Sequence, residues 1–372
     1  MTKGLTTHLF KILFCLGALA FSLGCSSDSK KQIPKAIKVS SKKRISNSKL
    51  SEKEWLSEYN FFKKPLSDLQ PKKGVFAYDL NNALFTDYAF KKRFIFLPDG
   101  KKMTYQNEGV LDFEIGSILI KNFYYPKDFN KPMDEIKIIE TRLLIKEVDG
   151  WKPLNYVWNE SQSDAKLNYV GGEVPVSWKN ENQVHKSISY GIPNLNECKN
   201  CHFKGSEITP IGPTVAQLNK KYSAIKSAQN QLERFQNLGI LDLPDSHPSL
   251  PKLPIWDDPK TGSIKLRANA YLDANCAHCH REQGSAKNSG LYLTYNETNM
   301  RRRGVFKPPV AAGKGSGNLE YSIVPGNPEE SILIYRMKNN DPAIRMPEIG
   351  RVSAHKEGIA LIEQYIQSLA EY

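Results

Sequence analysis

The residues with the most chemistry to offer are two copies of Cys-x-x-Cys-His, Cys198-Lys199-Asn200-Cys201-His202 and Cys276-Ala277-His278-Cys279-His280. Two thiols separated by two residues can both reach one macrocycle, and the histidine that follows falls beneath its metal. That spacing is the signature of covalent haem attachment, with thioether bonds to the haem vinyl groups and the histidine as proximal iron ligand. Cys198, Cys201, Cys276 and Cys279 are therefore the expected attachment residues of two covalently bound haem c groups, and His202 and His280 the expected iron ligands. Paired Cys-x-x-Cys knuckles also build four-cysteine zinc sites and redox dithiols. The histidine at the same offset in both copies disfavours those chemistries.

The same chemistry requires export, and residues 1–24 read as an export signal. Lys3 and Lys11 precede an apolar run from Ile12 to Leu23, the length of a signal-peptide core and short for a membrane span. The run ends at Leu23-Gly24-Cys25-Ser26, the arrangement of a bacterial lipoprotein cleavage site, although Ser22 stands where such sites prefer Leu. Cys25 is then the expected lipidated residue, at the head of a Lys- and Ser-rich tether over 25–51. An ordinary cleaved signal and an uncleaved anchor are the alternatives. Of the six cysteines, Cys15 belongs to the signal and Cys25 to the lipid, and two haems consume the remaining four. With no disulfide to expect, stability falls to the core and the cofactors.

Charge follows the same division. The chain carries +13, of which the signal contributes two and residues 26–50 contribute seven, leaving +4 for the rest. The run Lys30, Lys31, Lys35, Lys38, Lys42, Lys43, Arg44 and Lys49 has no apolar periodicity, so it reads as a solvated tether, with attraction to anionic headgroups as the sharper reading. Cations confined to a tether in an exported chain exclude nucleic acid as a partner.

Three regions must position the motifs. Residues 52–190 read as strands: Lys92 to Leu97, Ser117 to Tyr125 and Ile136 to Lys146, separated by Pro98-Asp99-Gly100, Pro126 and Asp149-Gly150. A β-sandwich or small barrel is expected there, with Tyr124, Tyr125, Trp151, Tyr156 and Trp158 as sheet core. Residues 191–260 hold the first motif and a stretch with Val215, Leu218, Tyr222, Ile225 and Leu232 at helical spacing. In 261–372, a helix through Leu266, Ala270, Leu272 and Ala274 delivers Cys276. A second helix has Asn327 as cap with Pro328, Glu329 and Glu330 in its first turn. A third starts after Ser353 and aligns Ile359, Ile362, Ile366 and Leu369. Between the last two lies the loop Arg345-Met346-Pro347-Glu348-Ile349-Gly350.

The third region is similar to a cytochrome c domain. Segments along 52–372 resemble a largely uncharacterised family of bacterial dihaem c-type cytochromes. They are Asn81-Asn82-Ala83-Leu84-Phe85-Thr86-Asp87-Tyr88-Ala89, Glu140-Thr141-Arg142-Leu143-Leu144, Tyr156-Val157-Trp158-Asn159, Pro210-Ile211-Gly212-Pro213, the run from Tyr271 through His280, and Val324-Pro325-Gly326-Asn327-Pro328. The resemblance implies an α+β multidomain chain, an N-terminal β-rich domain followed by mainly α-helical c-type haem domains. It also implies electron transfer between redox proteins of the cell envelope, periplasmic or at the outer membrane. On a cytochrome c the loop methionine supplies the distal thioether, which singles out Met346; Met337 reads as packing within a helix. For the first haem the distal candidates are His185, His247, His355, Met103 and Met133, and His278 reads as a surface or inter-haem residue. An open first haem would turn the same chain into a peroxidase or an oxidase of a small substrate.

Overall fold

The computed structural model describes residues 52–222, 229–244 and 250–371. The signal with Cys15, the proposed lipid site Cys25, the tether, Ile225 and His247 lie outside the described residues. All described residues fall within one folded unit, Ser48–Tyr372.

Ten strands come first: β1 (Val75–Tyr78), β2 (Phe90–Phe96), β3 (Met103–Thr104), β4 (Asp112–Phe113), β5 (Ile118–Pro126), β6 (Ile136–Glu147), β7 (Gly150–Trp158), β8 (Ala165–Leu167), β9 (Gly172–Lys179) and β10 (His185–Ile192). The antiparallel sheet β1-β2-β5-β6-β7-β8 is open, with β1 and β8 at its edges. It is therefore neither a closed barrel nor a sandwich of two equal sheets. One face carries Phe94, Ile118, Ile120, Leu143, Ile145, Leu154 and Tyr156, packed under Leu56, Phe61, Phe62, Leu66 and Leu69 from the segment before β1. Period-two alternation sends the intervening residues to the opposite face. There two apolar clusters form. Ile95, Leu97, Leu119 and Trp151 pack one end. Phe123 and Tyr125 pack the other, under Val176, Trp178, Tyr190 and Ile192 of the β9–β10 hairpin. The five aromatics expected in the sheet core are all buried.

The chain continues with α1 (Leu195–His202), the two-residue strands β11 (Phe203–Lys204) and β12 (Glu207–Ile208), α2 (Val215–Leu218), α3 (Gln231–Asn237) and β13 (Leu241–Asp242). β13 pairs in parallel with β3, Leu241 opposite Met103, and with β4 they form a separate three-stranded sheet. The last elements are α4 (Ile264–Asn275), α5 (Ile332–Lys338) and α6 (Lys356–Gln367).

The regions expected to hold haem are not mainly α-helical. The longest helices, α4 and α6, have 12 residues each, and α2 has 4. The expected helix from Val215 to Leu232 is instead two short helices, with an isolated antiparallel bridge between Lys221 and Asn230. Pro328–Glu330 is a separate 3-10 turn, and α5 starts only after Ser331. The cause is local. Gly284, Gly290, Gly304, Gly313, Gly315, Gly317 and Gly326, with Pro308, Pro309 and Pro325, punctuate the chain between α4 and α5 and prevent helix propagation. α4, α5 and α6 are held by packing. Ala268, Leu272, Ile334, Met337, Ile359, Ile362 and Ile366 share one core. Gly358 lets α6 cross α4, because a Cβ there would stand 2.2 Å from the Tyr271 hydroxyl.

Candidate functional site

Each motif is delivered by a helix. The first occupies α1, whose N-terminus is closed by a capping box: Asn194 accepts from the amides of Asn196 and Glu197, and Glu197 accepts from the amide of Asn194. The second begins where α4 ends. Cys276 is the C-cap of α4, and the amides of Cys279 and His280 turn back onto its carbonyl at 3.1 and 2.9 Å. Gly284 is needed just beyond, since a Cβ there would collide with the Cys279 carbonyl at 2.1 Å.

The two motifs meet. The Cys279 thiol faces the Asn200 carbonyl at 4.0 Å. The sulfurs of Cys201 and Cys279 and a ring nitrogen of His278 lie within 4.8 Å of one another. All four cysteines are free thiols. The neighbouring Cys201 and His278 hold the Cys279 thiol well below its usual range, while Cys279 and burial push the Cys201 thiol up. Cys198 and Cys276 stand outside this group, so no four-cysteine zinc site is assembled among the described residues.

A cavity of about 760 Å³ adjoins the motifs, a size that accommodates a cofactor. Cys198, Cys201 and His202 line it, with Ala277 and His278 of the second motif, Arg281 just after it, and Pro347, Ile349 and Gly350 of the Met346 loop. His202 is anchored through Nδ1, 2.8 Å from the Thr209 carbonyl, so Nε2 is the nitrogen available to a metal. Burial pushes His202 down to about 4, which keeps the ring neutral at neutral pH, the form a metal requires. His280 Nδ1 lies 3.4 Å from the Ser289 hydroxyl, and burial lowers its pKa as well. Cys198 and Cys201 outside any disulfide, a His202 ring held by the nitrogen that does not bind metal, and a cavity lined by all three fit a covalently held haem at the first motif; Cys276, Cys279, His280 and Met346 do not line that cavity.

The distal candidates separate cleanly. Met337 is 6 % exposed in the core of the three helices. Met346 heads a loop whose backbone is clamped: its amide donates to the Arg336 carbonyl at 3.0 Å, and the Arg351 guanidinium donates to the carbonyls of Met346, Met337 and Asn339. The Arg336 charge also reaches His280. Of the distal candidates expected for a first haem, Met103 is buried in an apolar core, Met133 and His185 are exposed, and none of them lines the cavity. His278 does line it. It is 5 % exposed, not a surface residue, and its Nδ1 has no hydrogen-bond partner among the described residues.

His355 is engaged elsewhere. It stacks on Phe85 at 4.1 Å, shares a 2.9 Å hydrogen bond with the Tyr271 hydroxyl, and precedes the first residue of α6. Burial pushes it down to about 4, with Lys91 reinforcing the shift and Glu357 opposing it. A base with a lowered pKa refuses a proton that the unfolded chain accepts near 6.5. Its contribution to stability is thus complete above about 6.5 and is lost as pH falls toward 4, on the order of 3 kcal/mol in all. Thermal melts between pH 7 and 4 should show a shallower acid loss in His355→Gln than in the parent; parallel curves would contradict this assignment.

Residues 81–89 are a strap that sequence reasoning left without a role. Asn82 donates to the Pro254 carbonyl and accepts from the Trp256 amide, both at 2.9 Å. The Phe85 amide donates to Asn275, the residue before Cys276, at 2.7 Å. Asp87, 2 % exposed, accepts from the amides of Val352 and Ser353 and from the Ser353 hydroxyl at 2.7 to 2.9 Å. Asp87 and Tyr88 both adopt positive φ, 45° and 62°, a strained backbone for such residues that these bonds hold in place. The strap therefore connects the sheet to the second motif and to the Met346 loop.

Comparison with protein-family models, with curated proteins and with solved structures returned no match for this chain. The functional reading rests on the site itself.

Proposed function

We propose that this protein is an exported dihaem c-type cytochrome that passes electrons in the bacterial cell envelope. Cys198 and Cys201 hold one haem over His202, and Cys276 and Cys279 hold the other over His280. Met346 supplies the distal ligand of the second haem. The observation that carries this reading is the meeting of the two motifs, with their thiols uncommitted, beside a cavity of about 760 Å³. Anchoring groups that are neighbours suit transfer between two redox centres. The bound haems supply the one-electron chemistry, and the chain fixes their axial ligands and excludes water. Electrons enter and leave through redox proteins of the envelope. A lipid on Cys25 tethers the folded unit to the membrane, and no helix among the described residues is long and apolar enough to cross one.

The sixth ligand of the first haem decides between carrier and enzyme. The buried His278 ring on the cavity wall, whose Nδ1 has no hydrogen-bond partner among the described residues, supports saturation of that iron, and so a carrier. A second reading, a peroxidase or oxidase with an open first haem, is favoured by the absence of Met103, Met133, His185 and His355 from the same wall. The absorption spectrum of the oxidised protein separates the two. The oxidised carrier shows only low-spin haem, and after reduction it gives no response to carbon monoxide, while His278→Ala gains a high-spin band when oxidised and binds the gas at one haem when reduced. A high-spin band and gas binding in the parent protein would establish the enzyme reading instead.

A further inference from the structure

The sheet face beneath the first motif is apolar at both ends and cationic in the middle. Arg93 on β2, Lys121 on β5 and Arg142 on β6 are direct cross-strand partners. Directly opposed like charges destabilise a sheet, so such a row needs a reason. Lys91, two residues before Arg93, adds a fourth cation to the same face.

The carboxylates present do not balance it. Arg93 meets Asp79 at 3.2 Å, but Asp79 also holds Lys220 at 3.1 Å. Arg142 pairs with Glu140, whose Oε1 also accepts from the Tyr190 hydroxyl at 2.6 Å, and the buried Nε of Arg142 has no partner among the described residues. For Lys121 the nearest interaction is the Phe123 ring, 4.7 Å from its ammonium to the centroid. Burial, then Arg93, Arg142 and Lys91, push Lys121 well down, and burial with Arg93 and Arg142 takes Lys91 down to about 7. Four cations on this face thus meet Asp79 and Glu140, with Asp87 acting on Lys91 from further off, and no carboxylate pairs with Lys121 among the described residues.

All three row residues line the cavity that holds Cys198, Cys201 and His202. Arg142 stands at the thiol end, where its charge reaches Cys198 and Cys201. Lys121 is close enough to act on His202. Arg93 lies two strand spacings from Arg142, about 10 Å along the row. The row thus runs from the attachment thiols, past the proximal histidine, to the far side of the cavity.

We propose that Lys121 and Arg93 form a carboxylate-binding site on the cavity wall, with Arg142 closing its thiol end. This rests on the haem reading for its occupant. Haem propionates leave the porphyrin on the edge opposite the vinyl groups, so thioether bonds at Cys198 and Cys201 direct them along the row. Tethering presents them at an effective concentration that a free carboxylate does not match. Charge-assisted bonds to Arg and Lys are the strongest available to carboxylates, and they neutralise the row. A free small carboxylate is the other source of the same chemistry.

The test uses the full-length, haem-loaded protein and the variants Lys121→Met and Arg93→Gln, with intact mass measured first. Removing one cation from a like-charged row relieves repulsion, so Lys121→Met is expected to fold and to carry both haems. Redox titration of the variant should show one midpoint falling, because the remaining negative charge favours ferric iron, and that midpoint should become steeper in pH between 5 and 8. Arg93→Gln should do the same more weakly. Succinate added to the parent protein should change neither midpoint. A saturable shift by succinate in the parent, lost in Lys121→Met, would keep the carboxylate site but overturn propionate as its occupant. Unchanged midpoints in both variants together with no response to succinate would overturn the site altogether. A parent protein with no haem on Cys198 and Cys201 would instead overturn the underlying haem reading, a result the mass shows independently.

Discussion

Met346→Ala will abolish the long-wavelength sulfur-to-iron charge-transfer band of the oxidised protein and lower the potential of one haem, leaving the other unchanged. A thioether ligand stabilises ferrous over ferric iron, so its loss moves the potential down. Met337→Ala serves as the contrast. Met337 is buried among Leu272, Ile334 and Ile362, so its truncation costs on the order of 2 to 5 kcal/mol of stability while leaving the band in place. Should the two variants exchange these behaviours, the assignment of the loop before Gly350 as the ligand loop is wrong.

The second large effect belongs to Asp87, which touches no expected ligand. Its carboxylate holds the amides of Val352 and Ser353, and the adjacent Arg351 holds the Met346 carbonyl. Asp87→Ala leaves those donors without their acceptor, at a cost of about 1–3 kcal/mol. The loop that presents Met346 loosens with it. The expected result is a lowered thermal midpoint together with a weakened charge-transfer band, although Met346 itself is intact. Asp87→Asn retains an acceptor oxygen and should recover part of the band. A stability loss with the band at full strength in Asp87→Ala would make the strap structural only.

The sheet was legible because its strands are long, rich in β-branched and aromatic residues, and bounded by turn residues. The segments expected from Lys92, Ser117 and Ile136 fall within one residue or two of β2, β5 and β6. Residues 264–275 were legible for a different reason: Leu272 and Ala274 lead directly into Cys276, and the motif itself marks the helix end. The helices expected over 215–232 and from Asn327 were misjudged because both readings extended a local signal beyond what packing supports. Pro328 and its acidic neighbours start a 3-10 turn, and Ser331 then begins α5. An open sheet instead of a sandwich could not be read from alternation alone, because the second face is covered by loops, short helices and a hairpin. The strap was invisible for the same reason. Asn82, Asp87 and Asn275 meet partners up to 266 residues away, and no local pattern encodes that. The cationic row did leave a trace, since Lys121 interrupts the apolar run Ile118-Leu119-Ile120 and Arg142 interrupts the strand around Leu143. Its meaning emerged only when register set them side by side.

The most direct test of the central claim is the intact mass of the full-length protein purified from a host that matures c-type haem, read beside a denaturing gel stained for haem peroxidase activity. Two thioether-bound haems predict a mass gain of two haem groups and a stained band that survives boiling and reduction. Cys198→Ser with Cys201→Ser should then lose one haem, and Cys276→Ser with Cys279→Ser the other. A chain that carries no covalent haem, and instead binds zinc stoichiometrically through Cys201, His278 and Cys279, would contradict the account.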